Sequence, residues 1–454
     1  MTIQERHTVL RDRDDTPTDI QVERASSARG SGRRAVSYFA VGALVLGSTA
    51  AYLVIALIRR HDMLGMLDLS IYRSGGSVAW HHGPLYEQHF AAGLSFTYPP
   101  IAAIAFEPAA AVPTWAANSL MLGASIASLA AVNWLILASV HDTRRRMLLA
   151  GFATAVGLWL EPVQQTLRFG QINILLMLII VADLMQPDER RRKGLGVGLA
   201  AAIKLTPAIY VPYLLLTRRR RAAANACGAF AACCLVGFLL LPSQSVRYWF
   251  HGLFYNSDRI GNVGYLANQS IHGVLVRILG ESGREQLIWL AVAIAVAALG
   301  LWIAAVAYSA VGEAAGILSV ALTGLLVSPV SWSHHWVWVV PAIALVGATL
   351  SRRHLDAWLF TLVGTLVFFA WPVSRQAGLA TVPQGVIWTL PYRLDNHEHL
   401  WRGWQLLAGN AEVAFGVLTL LAFGFFLIRM RHQEQTASNS TARGLELQLQ
   451  APTP

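Results

Sequence analysis

Long apolar runs, interrupted by short polar or basic inserts, fill almost the whole chain. A helix that crosses a bilayer needs about 20 apolar residues. Runs of that order lie at about 36–58, 116–140, 222–242, 287–308 and 411–429. Shorter runs lie at about 148–160, 172–186, 314–327, 335–350 and 356–372. The pattern predicts an all-α, polytopic integral membrane protein with roughly 10–12 transmembrane helices, some of them re-entrant or broken. Two stretches do not read as straight spans. Segment 99–113 is apolar but bounded by "TYPP" and "VP", which predicts a re-entrant or interfacial element. "GLGVGLAAAIKLTPAIYVPYLLL" (194–216) carries Lys204 and Pro207 at its middle, which predicts two half-helices meeting at Lys204.

Polar residues 1–34 and 433–454 flank the apolar region and read as disordered cytoplasmic tails around a membrane domain of 35–432. The leading segment is too long and too charged for a secretory signal. Arginines cluster in "HDTRRRM" (141–147), "PDERRRKG" (187–194), "TRRRR" (217–221), "SRRH" (351–354) and "RMRH" (429–432). Placing these runs inside puts both termini in the cytoplasm of a multi-pass plasma (inner) membrane protein. Arg59 and Arg60 run against that sum. The same threading sends "MLDLSIYRSGG" (66–76), "WLEPVQQTLRFGQIN" (159–173), "NVGYLANQSIHG" (262–273), "SPVSWSHHW" (328–336) and Lys204 to the external or periplasmic face.

Composition agrees. The 454 residues are 55% hydrophobic and 13% charged, where a soluble protein carries about 25% charged residues. The net charge of +10 lies in the loops between apolar runs, so it reports topology and contact with membrane lipids rather than a nucleic-acid partner. Cys227, Cys233 and Cys234 share one apolar run and read as buried small residues. There is no CxxC, HExxH or Walker loop in the sequence, and the expectation is no metal and no cofactor.

The polar inserts carry the candidate chemistry. Asp68 reads as a helix N-cap or as a general base, and spacing alone favours the cap. Tyr72 and Arg73 fit stacking and charge, or an interface belt. Tyr98, entering the membrane at "LSFTYPP", reads as an interface anchor. Arg168, Gln171 and Asn173 suit phosphate and hydroxyl recognition, or capping at two helix ends. Glu161 reads as a second acid or as an ion-pair partner of Arg168. Lys204, within an apolar hairpin, needs an anion, either a buried carboxylate or a ligand phosphate. His334 and His335 point to different faces of one helix, so one binds while the other packs. His272, beside Asn268 and Gln269, has the same two readings. A carboxylate, cations and amides on one membrane face suit a sugar and a phosphate.

The ordered set "DLSIYRSGG", "LSFTYPP", "RFGQINILLMLIIVADL", "GLAAAIKLTPAIY", "YLANQSIHGV" and "SPVSWSHHWVW" resembles the actinobacterial membrane mannosyltransferases of glycosyltransferase family 87, which have the GT-C type of fold. The resemblance implies an α-1,2-mannosyltransferase with an external active-site face. It would transfer mannose from polyprenyl-phosphate-mannose to the 2-hydroxyl of a phosphatidylinositol mannoside, or of lipomannan or lipoarabinomannan, with inversion. It implies Asp68 as the catalytic base, reversing the balance that spacing gave. Tyr72, Glu161, Arg168, Gln171, Asn173, Lys204, Asn268, Gln269, His272, His334 and His335 would then be the substrate-binding set, and the lipid-linked donor would serve in place of any cofactor. The alternatives are a flippase or transporter of a lipid-linked sugar, and a polyprenyl-phosphate-dependent transferase of another sugar such as arabinose. The chain shows no internal repeat of the kind that many transporters have.

Overall fold

A computed structural model describes residues 19–58, 65–140, 142–256, 259–348, 355–373, 382–390 and 397–449. The chain forms α1 (Asp19–Ile58), α2 (Leu67–Trp80), α3 (Pro100–Ala111), α4 (Thr114–Ile136), α5 (Thr143–Gly157), α6 (Glu161–Phe169), α7 (Asn173–Leu184), α8 (Leu195–Ile203) and α9 (Tyr210–Leu216). It continues through α10 (Arg220–Leu240), α11 (Pro242–Phe250), α12 (Ile271–Leu279), α13 (Gly283–Ala310), α14 (Glu313–Val327), α15 (Val339–Ala348), α16 (Leu355–Phe368), α17 (Trp404–Gly409) and α18 (Ala411–Leu449). One antiparallel pair of short strands, β1 (Trp371–Val373) and β2 (Val382–Gln384), interrupts the helices, with Trp371 opposite Gln384.

Among the described residues, five helical segments are long and apolar enough to cross a membrane: Phe39–Ile58, Thr114–Ser139, Arg220–Leu240, Gly283–Ala310 and Ala411–Gln433. They coincide with the five longest apolar runs of the sequence. The shorter runs appear as shorter apolar helices, and α6 with α7 counts as a sixth span only as a pair bent by 113°. The chain is therefore a multi-pass, all-helical membrane protein apart from the small hairpin. Helix α1 begins at Asp19 and α18 runs to Leu449, so helix extends into both segments read as tails. Residues 1–18 and 450–454, the basic loop 351–354, and Arg59 and Arg60 lie outside the described residues.

Three local features position the polar inserts. Gly170 sits at φ +66 and ends α6 at the bend into α7. A side chain there would be strained by the left-handed backbone, and its Cβ would meet Leu69 at 2.7 Å. Gly76 lets α2 lie against α3, since a Cβ on it would come within 2.8 Å of the Phe106 backbone. Tyr72 then stacks on Phe106 with ring centroids 4.4 Å apart. The break at Lys204 follows its sequence. Helix α8 ends at Ile203, Lys204 is extended (φ −144, ψ 125), and a single 3₁₀ turn, Thr206–Ile209, leads into α9. Pro207 lacks the N–H that a continuous helix would need.

A buried ionic cluster ties the helix ends near the loop 187–194. Lys193 donates to the Gln186 carbonyl and to the Asp188 carboxylate, both at 2.7 Å. Arg219 pairs with Glu313 and lies over the rings of Tyr213 (4.8 Å) and Tyr308 (4.3 Å). The Asp183 carboxylate accepts from Gly194 N (2.9 Å) and Val197 N (3.0 Å), capping α8.

Candidate active site

Helix α2 does not use Asp68 as its cap. Met66, at φ 44, holds that place, and its N–H donates to the Arg168 carbonyl at 2.9 Å. Asp68 lies in the first turn, where the helix dipole favours a carboxylate. Its Oδ2 accepts from Gln171 Nε2 at 2.5 Å. Gln171 sits just past the α6–α7 bend, and its Oε1 in turn accepts from Tyr72 Oη at 2.8 Å and from Tyr98 Oη at 3.4 Å. The two tyrosine hydroxyls lie 2.8 Å apart. One glutamine amide therefore orients Asp68 while its own oxygen is held by two phenols. Burial pushes the Asp68 carboxyl up to about 6, against the opposing pull of the Gln171 hydrogen bond and the Lys204 charge. That is a fitting value for a general base near neutral pH.

Lys204 projects from the α8–α9 break. Its Nζ donates to Asn173 Oδ1 at 2.8 Å and lies 3.1 Å from His335 Nε2. It also sits 5.6 Å from the centroid of the Tyr98 ring. An ammonium only donates, so His335 Nε2 accepts from it and the imidazole proton sits on Nδ1. No carboxylate among the described residues is within ion-pair distance of Lys204, although Lys193 and Arg219 each have Asp188 and Glu313 as such partners. Of the three N–H donors of Lys204, one is left to face the cavity.

These groups line one cavity of about 720 Å³, which is in the usual size range for a ligand site. Asp68, Tyr72, Gln171, Lys204, His272 and His335 of the expected set face it. Asn173 does not, but it lines an adjoining space of about 70 Å³ and holds Lys204. The remaining expected residues are in the wall behind. Glu161 is fully buried, and its Oε1 accepts from Ser333 Oγ (2.8 Å) and Trp388 Nε1 (2.7 Å). Arg168 stacks its guanidinium on its neighbour Phe169, 5.6 Å from the ring centroid, away from the cavity lining. Asn268 and Gln269 are spent on backbone. Asn268 Nδ2 donates to the Val263 carbonyl at 2.9 Å, and Gln269 Nε2 to the Leu266 (2.8 Å) and Gly409 (2.7 Å) carbonyls. His334 packs edge-on to Phe169, and its backbone carbonyl accepts from Thr166 (2.9 Å) and Asn173 (3.0 Å). His335 is thus the cavity histidine and His334 the packing one.

Sequence reasoning missed several cavity residues. Tyr98 belongs to the Asp68 network. Arg259, Trp289 and Trp332 line the cavity as well. Trp289 stacks on His272 with centroids 4.2 Å apart. A lone arginine in a polar loop and tryptophans at helix ends carry no periodic signal that would set them apart. Among the described residues, Asp68 is the one carboxylate in the lining, and no group of three or more His, Cys, Asp or Glu side chains comes together as metal ligands.

Residues 96–329 match the sequence model of Glycosyltransferase family 87. A polyprenol-phosphate-mannose-dependent alpha-(1-2)-phosphatidylinositol mannoside mannosyltransferase of Mycolicibacterium smegmatis is 36% identical over 386 residues, covering 78% of this chain and 83% of the relative. Its counterpart of the same name from Mycobacterium tuberculosis is 32% identical over 399 residues, covering 84% and 88%. A Mycolicibacterium smegmatis enzyme named for phosphatidylinositol pentamannoside is 36% identical over 334 residues, covering 69% and 79%. No solved structure matches the chain.

Proposed function

This chain belongs to glycosyltransferase family 87, and from that premise we propose that it transfers mannose from polyprenyl-phosphate-mannose to the 2-hydroxyl of a lipid-linked mannoside, forming an α-1,2 linkage with inversion. Family membership decides for a transferase over a transporter. Phosphatidylinositol mannosides are the acceptors that the relatives' names favour over lipomannan and lipoarabinomannan.

One observation carries the mechanism: a primed carboxylate and an ammonium without a carboxylate partner face the same cavity. Asp68 accepts the proton of the acceptor 2-hydroxyl as its oxygen attacks the anomeric carbon from the face opposite the phosphate. The C–O bond to phosphate breaks, and both of its electrons leave with the phosphate oxygen. Lys204, with the polar edge of His335 beside it, stabilises the charge that grows there. Gln171 holds Asp68 in line, and Tyr72 and Tyr98 hold Gln171. The donor is already activated as a phosphodiester, so the chemistry asks for no metal and no organic cofactor. The arginine-rich loops favour a plasma (inner) membrane protein whose cavity opens on the external face, with both termini cytoplasmic.

Purified protein supplied with polyprenyl-phosphate [14C]mannose and phosphatidylinositol mannosides tests this directly. The expected result is labelled lipid mannoside from the wild type and none above background from Asp68→Asn. Transfer of a different sugar from its polyprenyl phosphate, with mannose refused, would replace the substrate while keeping the enzyme class. Full activity in Asp68→Asn would remove Asp68 as the base.

A further inference from the structure

The cavity holds a second cation that the transfer step does not use. Arg259 lines the cavity from the loop before α12. Its Nη2 donates to the Phe96 carbonyl at 2.8 Å and its Nη1 reaches the Leu253 carbonyl at 3.4 Å. Its guanidinium lies 5.4 Å from the centroid of the Tyr86 ring. Two backbone carbonyls and a ring fix the plane of the group, yet neither neutralises its charge. Among the described residues no carboxylate is within ion-pair distance of Arg259. A guanidinium has five N–H donors, so donors remain for a ligand, in the fork that matches phosphate oxygens.

The surroundings narrow the ligand. Leu94 (40% exposed), Phe254 (44%) and Ile260 (39%) line the same cavity with exposed apolar surface. A fixed cation beside open apolar side chains suits a phosphodiester with hydrocarbon attached, rather than a soluble sugar phosphate. Two lipid phosphodiesters are available in the proposed reaction, one on the donor and one on a phosphatidylinositol acceptor. Their chemistry separates them. The donor phosphate is bonded to the reacting anomeric carbon, so it must lie beside the hydroxyl that Asp68 deprotonates. Lys204 is held by Asn173 and His335 beside Tyr98, whose hydroxyl belongs to the Asp68 network, whereas Arg259 is held by the Phe96 and Leu253 carbonyls over the Tyr86 ring, so the two cations are anchored on different parts of the lining. The acceptor phosphate is removed from its reacting hydroxyl by an inositol and at least one mannose, and so belongs at a distance.

We propose that Arg259 and its apolar rim form a subsite for the lipid phosphodiester of the acceptor, separate from the donor phosphate site at Lys204. The subsite would make the enzyme prefer lipid-phosphate-linked mannosides over free glycans of the same sugar sequence. This inference rests on the acceptor class proposed above.

Binding to the full-length protein in nanodiscs tests it without requiring turnover. Three probes are used: phosphatidylinositol dimannoside, the phosphate-free octyl glycoside of the same mannose disaccharide, and polyprenyl-phosphate-mannose. In Arg259→Gln the dissociation constant for phosphatidylinositol dimannoside is expected to rise about tenfold, with the octyl glycoside and the donor each moving less than about twofold. Arg259→Lys, which keeps the charge but not the fork, should fall between wild type and Arg259→Gln. Equal weakening of both glycosides, weakening confined to the donor, or no weakening at all would each overturn the subsite. Failure of the wild type to transfer mannose would strike only the catalytic reading, because the three affinities are measured apart from it.

Discussion

Two half-buried ionic regions of this molecule use the same residue types to opposite ends. Around Lys193 four charges are matched in pairs, Lys193 and Arg219 with Asp188 and Glu313. Lys193 meets Asp188 at 2.7 Å and Glu313 at 3.5 Å, and Arg219 pairs with Glu313 between two tyrosine rings. Around Lys204 the charges are left unspent. Its hydrogen-bond partners are a neutral amide and a neutral imidazole, and Asp68 is held by a glutamine rather than by a cation. A buried charge without its opposite is destabilising. The molecule retains Asp68 and Lys204 in that state, facing one cavity, and the proposed substrate, which brings an anionic phosphate and a hydroxyl proton, would complete both. On the proposed mechanism the matched cluster is scaffold, and the unmatched pair is the site.

The sharpest way to break this contrast is to neutralise one carboxylate from each region. Asp68→Asn keeps the hydrogen-bonding shape but cannot take a proton, so transfer should fall by about 10²–10⁴-fold while the thermal midpoint of unfolding holds or rises. Glu313→Gln should do the reverse, lowering the midpoint while the surviving folded protein transfers mannose normally. The wild-type pH profile adds a second check. Asp68 must be ionised to act, and its carboxyl is held up to about 6. The rate should therefore be full above that value and fall tenfold per unit below it. A rate flat down to pH 4 would take Asp68 out of the mechanism.

The lysines give the next contrast. Lys204→Met removes the cation that meets the leaving phosphate, and should lower the maximal rate about 10²-fold with little loss of stability. Lys193→Met leaves Asp188 and Glu313 short of a cation. Asp188 is partly open to solvent, which limits the penalty, so the expected loss is about 2 kcal/mol of stability rather than activity. Scanning calorimetry and initial rates on the same two preparations decide it. Equal effects of the two substitutions on both quantities would erase the distinction between the regions.

The sequence discloses these regions unevenly, for physical reasons. The five long spans are legible because hydropathy sums over about twenty residues and needs no partner. Lys204 is legible because a charge inside an apolar run is conspicuous by itself. Asp68 is not legible from spacing. The cap reading fails because Met66, in a left-handed conformation, starts the helix, and the partner that gives Asp68 its role is Gln171, 103 residues away. Amides mislead in the other direction. Asn268 and Gln269 look like ligand groups, yet they satisfy backbone carbonyls where irregular chain is buried, and nothing local in sequence says which amide will be so used. Arg259 is one arginine among many until the fold sets it in the same cavity as Lys204.

Gln171 connects the legible part of the site to the illegible part. Its hydrogen bond pulls the Asp68 carboxyl downward against burial. Gln171→Leu removes that donor, so the acid limb of the pH profile should shift to higher pH. At pH 8 the loss should be about tenfold, from misorientation alone, and below the new midpoint it should be greater. A loss that is the same at every pH would make Gln171 a packing residue and no more.

The smallest expected effect separates the two parts of Tyr98. Its hydroxyl supports Gln171 at 3.4 Å and meets Tyr72 at 2.8 Å, while its ring lies 5.6 Å from Lys204 Nζ. Tyr98→Phe removes only the hydroxyl. Tyr72 still donates to the same Gln171 oxygen, so the network keeps its stronger support, and the rate should fall about threefold, in line with the loss of the 3.4 Å contact with Gln171 and the 2.8 Å contact with Tyr72. Tyr98→Leu removes the ring as well and takes away the face over which the ammonium sits. The further loss should appear in the KM for polyprenyl-phosphate-mannose, because a displaced Lys204 meets the donor phosphate less well. If Tyr98→Phe and Tyr98→Leu behave alike, the ring does not position Lys204, and Asn173 with His335 suffices to hold the unmatched cation in place.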